Sequence, residues 1–97
     1  MINHIVMFKL AGPEERRREL ARQFKSAIEL LPFQIDQLVD VRVDLNENPA
    51  EQWDMVLTAH VKTWEDLPLY ANNPFHVACV EIIKASIAGR ACVDYAY

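Results

Sequence analysis

The opening residues alternate. Ile2, His4, Val6, Phe8 and Leu10 fall on one face at period two, and Asn3, Ile5, Met7 and Lys9 on the other. This pattern predicts a strand. Ala11-Gly12 interrupts it, and Pro13 suits the first position of a helix, where its missing N–H costs nothing. Glu14 and Glu15 follow in the first turn and complement the helix dipole. From Leu20 the period changes. Leu20, Phe24, Ala27, Ile28 and Leu31 recur at spacings of three and four, an amphipathic helix that Pro32 stops. In the charge run 14–19, Glu14 and Arg18 are spaced for an i,i+4 pair on a solvated face.

Alternation returns over 37–45, where Val39, Val41, Val43 and Leu45 oppose Asp40, Arg42 and Asp44. Asn46-Glu47-Asn48-Pro49 has the composition of a turn. A third strand over 52–62 places Trp53, Met55, Leu57, Ala59 and Val61 against Asp54, Val56, Thr58 and His60, so the two runs form an antiparallel pair. Thr63 caps a short helical turn at Trp64-Glu65-Asp66-Leu67, which Asn72-Asn73-Pro74 breaks. A longer helix is expected over 75–86, with Val80, Ile83 and Ile87 on one stripe and Gly89 as its C-cap. The last strand, 90–97, sets Ala91, Val93, Tyr95 and Tyr97 against Cys92 and Asp94.

The order β-α-β-β-α-β predicts one ferredoxin-like α+β domain over 1–97, a four-stranded antiparallel sheet with helices on one face. Val6/Phe8/Leu10, Val39/Val41/Val43 and Met55/Leu57/Ala59 supply the helix-covered face. The opposite face mixes Ile5, Met7, Val56 and Thr58 with Lys9, Asp40, Arg42, Asp44 and His60. An apolar patch in a polar frame is the mark of an interaction surface, and a second copy packed face to face would bury it. The expected partner is therefore the chain itself, as a homodimer through the sheet face.

Composition narrows the function classes. At 97 residues, 52% hydrophobic and 25% charged, the chain is one folded domain. A net charge of −4 argues against nucleic acid. No apolar run approaches the roughly 20 residues that span a bilayer, and the first residues lack the features of a signal peptide, so the cytoplasm is the expected location. Cys79 and Cys92 sit among apolar neighbours and read as buried free thiols.

Acid–base chemistry has few candidates. His4 lies in phase with Val6 and Phe8 and faces the interior, either as a hydrogen-bonded core residue or as a pocket group. His60 falls on the mixed face, where polar contacts are expected. His76 stands in the first turn of the last helix, where the dipole disfavours the imidazolium and leaves a neutral base. Tyr70 is spaced to approach it across the Asn72-Asn73-Pro74 turn. A phenol beside a neutral imidazole polarises a carbonyl and removes a neighbouring proton; the same position also suits capping or loop fixing by His76. No spacing of histidines, cysteines or carboxylates points to a metal, and no cofactor motif is present. Asp40 and Asp44, on one face of a strand, read as solvated or paired with Arg42.

His4-Ile5-Val6-Met7-Phe8-Lys9, Tyr70-Ala71-Asn72-Asn73-Pro74-Phe75-His76-Val77 and Cys92-Val93-Asp94-Tyr95 together resemble the stress-responsive dimeric α/β-barrel (Dabb) family. The resemblance spans almost the whole chain and implies ferredoxin-like subunits whose sheets pair into a barrel. Some plant members are cofactor-independent polyketide cyclases, with a tyrosine and a histidine at positions matched by Tyr70 and His76 and a strand-one histidine matched by His4. The chain departs from that pattern at Asn73, where a histidine commonly precedes the proline, and Phe75 is bulky for its place. Two functions remain open. One is a cofactor-independent enzyme of cyclase, lyase or isomerase type, with His76, Tyr70 and His4 in a pocket walled by Val6, Phe8, Phe24, Leu57, Val80 and Ile83. The other is a non-catalytic dimer, ligand-binding or stability-related. A cofactor-free oxygenase rests on analogy of fold alone.

Overall fold

The computed structural model describes residues 1–97. Its elements are β1 (Ile2–Leu10), α1 (Glu14–Ile28), β2 (Leu38–Leu45), β3 (Met55–Val61), α2 (Asp66–Ala71), α3 (Pro74–Glu81) and β4 (Ile87–Ala96). The strands form one sheet in the order β2-β3-β1-β4, every neighbouring pair antiparallel. Two β-α-β crossovers interleave to give this order, the ferredoxin-like arrangement expected from the alternation of periods.

The expected barrel is not formed. β2 and β4 each have one neighbour and lie at opposite edges, so the sheet is open. Closure requires the two edges to hydrogen-bond to each other, and the crossovers carry β2 and β4 to opposite sides of the central β1–β3 pair.

The core lies between sheet and helices. Val6, Phe8 and Leu10 of β1 and Met55, Leu57, Ala59 and Val61 of β3 meet Leu20, Ala21, Phe24 and Ile28 of α1, all buried. Phe8 and Phe24 pack edge to face at 5.7 Å. α1 ends at Ile28, four residues before Pro32, which itself begins a 3₁₀ turn at Leu31–Phe33. A proline ring excludes the helical carbonyl four residues earlier, and here that carbonyl belongs to Ile28.

Several local expectations change. A bulge between Leu38 and Asp40 resets β2, so Leu38 enters the core while Val39 is exposed. Gly89 does not cap a helix. It lies within β4 opposite Lys9, where a Cβ would come 3.8 Å from the Trp53 ring. The helix expected over 75–86 ends at Glu81 and yields to a 3₁₀ turn at Lys84–Ser86. The Glu14–Arg18 pair is replaced. Arg16 pairs with Glu19, and Arg17 turns to Asp54 at 3.1 Å, whose other oxygen accepts the Leu10 N–H at 2.6 Å. Cys79 is buried, but Cys92 is half-buried on the edge strand. No helix is long and apolar enough to cross a membrane.

The face away from the helices is continuous across the sheet. Ile5 lies opposite Thr58 on one side and Val93 on the other, and Met7 opposite Val56 and Ala91. Polar groups frame this strip: Asp40 pairs with His60, Arg42 bonds Asp44 at 2.8 Å, and Asn3 donates to the Tyr95 hydroxyl at 2.7 Å.

Candidate functional site

The helices cover β1, β2 and β3, but no residue of β4 is buried. At this thinly covered edge the three sequence-identified candidates converge. His4 projects from β1 toward the helix layer, its side chain 12% exposed. Tyr70, near the end of α2, is fully buried. Its ring lies 6.2 Å from that of His4, edge-on, and 4.6 Å from that of His76.

Local sequence sets this corner. Pro74 opens α3 and Asn73 caps it, its side-chain oxygen accepting the Phe75 N–H at 2.9 Å. Asparagine at this position thus starts the helix, a task that a short side-chain acceptor performs well. The end of α2 leaves carbonyls without helical partners, and His76 Nδ1 reaches that of Ala71 at 2.8 Å. A carbonyl only accepts, so Nδ1 carries the proton and the lone pair of the neutral ring resides on Nε2. His76 therefore fixes the α2–α3 corner and keeps a basic nitrogen.

Burial lowers the His76 pKa from its usual value of 6.5, against the Ala71 hydrogen bond, and the charges of His4 and Arg90 lower it further. The direction favours the neutral imidazole, with desolvation and not the helix dipole as its principal cause. Burial raises the Tyr70 pKa well above the usual phenol range, so the hydroxyl remains a donor. That hydroxyl has no hydrogen-bond partner within the chain. An unpaired buried hydroxyl costs about 1–3 kcal/mol.

β4 adds residues that sequence reasoning did not place in the site. Asp94 lies directly across from His4 and Cys92 from Val6. Asp94 accepts from His4 Nδ1 at 2.5 Å, and Cys92 Sγ is 3.6 Å from the same nitrogen. Alternation along the last strand already put Cys92 and Asp94 on one face; their meeting with His4 required the β1–β4 register. Burial raises the thiol pKa of Cys92, and Asp94 raises it further. His60 stands apart on the other face, with Asp40 and the Tyr97 ring.

The residues expected to wall a pocket lie together in the core. Val6, Phe8, Phe24, Leu57 and Ile83 are buried members of the continuous core, and Val80 packs against it. Two hollows lie toward the β2–β3 connection, away from Tyr70. One of about 230 Å³ runs between the start of α1 and that loop; the other, of about 290 Å³, is bounded by Met7, Trp53 and Val56.

The element order and open antiparallel sheet are those of the ferredoxin-like class of small α+β proteins. The chain belongs to the Dabb family, the stress responsive A/B barrel domain, whose family model matches residues 2–97. A dimeric protein of unknown function and ferredoxin-like fold from Bacteroides fragilis is 39% identical, with a TM-score of 0.95 over 99% of this chain and 95% of that one. A dimeric ferredoxin-like protein of unknown function from Thermobifida fusca is 24% identical, with a TM-score of 0.80 over 99% of this chain and 90% of its own. The hydroxynitrile lyase of Passiflora edulis, 10% identical, shares the fold with a TM-score of 0.77 over 97% of this chain and 90% of the lyase. No curated protein sequence matches the chain.

Proposed function

We propose that the chain is a cofactor-independent enzyme that removes a proton next to a carbonyl group, with His76 as base, Tyr70 as donor to the developing enolate and His4 as a third polar group held by Asp94. One observation carries this reading: a fully buried phenol with no partner of its own lies between two imidazoles. Such an orphan donor is a cost to folding that a substrate oxygen would relieve. The substrate reaches it from the β4 side, where the site meets solvent. The Passiflora lyase offers support at the level of scaffold only.

The test uses Tyr70→Phe. Removing a buried hydroxyl that bonds to nothing is expected to raise stability by about 1 kcal/mol. The same change is expected to abolish stabilisation by aromatic and polyketide-like carbonyl compounds in a thermal-shift screen. It should also abolish deuterium exchange at their α-carbons, read by NMR. A variant less stable than the parent, or one that exchanges at the parent's rate, removes Tyr70 from the mechanism.

The packed core supports a second reading, a non-catalytic dimer, because Val6, Phe8, Phe24, Leu57 and Ile83 belong to one continuous buried cluster beneath the helices. In either role the chain's proposed location is the reducing cytoplasm, a setting that suits the free thiols of Cys79 and Cys92. In either role it acts as a homodimer whose open sheets pack face to face, with Ile5, Met7, Val56 and Val93 at the centre. The dimeric relatives and this strip support the arrangement. Met7→Glu puts a carboxylate in the middle of the patch and is expected to give monomers by light scattering. A variant that remains dimeric locates the interface elsewhere.

A further inference from the structure

The β1–β4 register points to a site for a transition-metal ion, of the zinc class, at His4, Cys92 and Asp94. The proposal is our own; it shares His4 and Asp94 with the proton-transfer reading and does not depend on it.

The three ligand atoms come from two adjacent strands. Cys92 and Asp94, two apart on β4, share a face, and His4 is the cross-strand partner of Asp94. All three atoms lie within 4.8 Å of one another. A tetrahedral zinc ion holds sulfur and nitrogen or oxygen about 3.5 Å apart, and nitrogen and oxygen about 3.3 Å apart. Cys92 Sγ stands 3.6 Å from His4 Nδ1 and 3.4 Å from Asp94 Oδ1, so both sulfur edges of that polyhedron are already formed. The third edge, Nδ1 to Oδ1, is 2.5 Å and is spanned by a hydrogen bond. An ion in place of its proton opens the edge by somewhat under an ångström, within the reach of a carboxylate rotation on an edge strand. A fully buried Tyr70 hydroxyl without a partner belongs to the ring packed against His4.

The charges balance. The ion displaces the Cys92 thiol proton to solvent and moves the His4 proton from Nδ1 to Nε2. A thiolate, a carboxylate and a neutral imidazole then compensate two positive charges. One nitrogen, one sulfur and one oxygen suit zinc or cobalt and not magnesium or calcium, which take oxygen ligands. Three protein ligands leave the fourth position to water or a small ligand, and Asp94, 30% exposed, keeps it near solvent.

Cobalt(II) is the probe. Added to the reduced, chelator-treated protein, it is expected to bind one ion per chain. Binding should produce a thiolate-to-cobalt charge-transfer band in the near ultraviolet and tetrahedral bands in the visible, both abolished by an equivalent of zinc. Cys92→Ser should lose the charge-transfer band, while Cys79→Ser, at the other and buried thiol, keeps it. Asp94→Asn, isosteric and on a surface strand, should weaken binding at least roughly tenfold. Circular dichroism confirms that each variant is folded. No charge-transfer band in the parent, a band that survives in Cys92→Ser, or an unchanged affinity in Asp94→Asn overturns the site. None of these readings requires turnover, so an inactive protein that binds cobalt this way sinks only the enzymatic proposal, and an active one that does not bind sinks only the metal site.

Discussion

Replacing His76 with alanine is expected to slow proton abstraction from a carbonyl compound by about 10²–10⁴-fold, the range that a positioned general base supplies. The ring's partly buried position and its bond to the Ala71 carbonyl leave Nε2 as the free basic nitrogen. Alanine also removes the tie between α2 and α3, so His76→Gln is the companion variant: its amide can still donate to Ala71, but it cannot accept a proton at neutral pH. Equal loss in both variants assigns the effect to the base. Recovery in His76→Gln assigns it to the corner. Rate should be full at neutral pH and fall only as pH drops through the depressed pKa of His76, below the usual 6.5. Stability carries the same signature with a defined sign. The folded state resists a proton that the unfolded chain accepts, so stability declines as pH falls from about 6.5 toward the folded pKa. Removing the imidazole should flatten that decline. A rate unaffected by His76→Ala ends the assignment.

Phe24→Ala is expected to cost about 3–5 kcal/mol, the largest loss of stability among single truncations in this chain. Phe24 has no exposed surface, and its ring meets Phe8 edge to face, where α1 crosses the centre of the sheet. Removing it leaves a cavity between two layers with little means to collapse, since Phe8 against it is held by strand register within a continuous buried core. Domains of this size lose about 4–8 °C of Tm per kcal/mol, so thermal denaturation should show a fall of roughly 15 °C or more. If that space belonged instead to a ligand chamber, truncation would cost far less and enlarge the range of compounds bound. A fall of only a few degrees would therefore return Phe24 to the binding-pocket reading.

The strands and their faces were legible because a pleated strand buried on one side must alternate. In β1 and β3 the alternation is unbroken, and every residue read as inward is buried save His4 and Trp53, the latter half-buried just before β3 begins. It failed in β2, where valines at 39, 41 and 43 keep a perfect period that the chain does not follow. The bulge exchanges Val39 for Leu38, which lies opposite Val61 and is buried while Val39 is exposed. Glycine at 89 misled for a different reason. A glycine after a helical stripe usually marks a cap, but here the residue lies within β4, carries no positive φ, and would hold a Cβ at ordinary contact distance from Trp53. Tyr70 and His76 were readable as a pair because only a short turn separates them in sequence.

Local pattern and chemistry determined the element order, the inward face of most strands, the Tyr70–His76 corner and the apolar strip opposite the helices, since each depends on residues close together along the chain. Tertiary structure alone decided that the sheet stays open, that β4 stays thinly covered, and that Asp94 and Cys92 stand beside His4. Those outcomes depend on strand pairing between the first and last segments and on how far the helix layer extends, and neither is encoded in any local spacing.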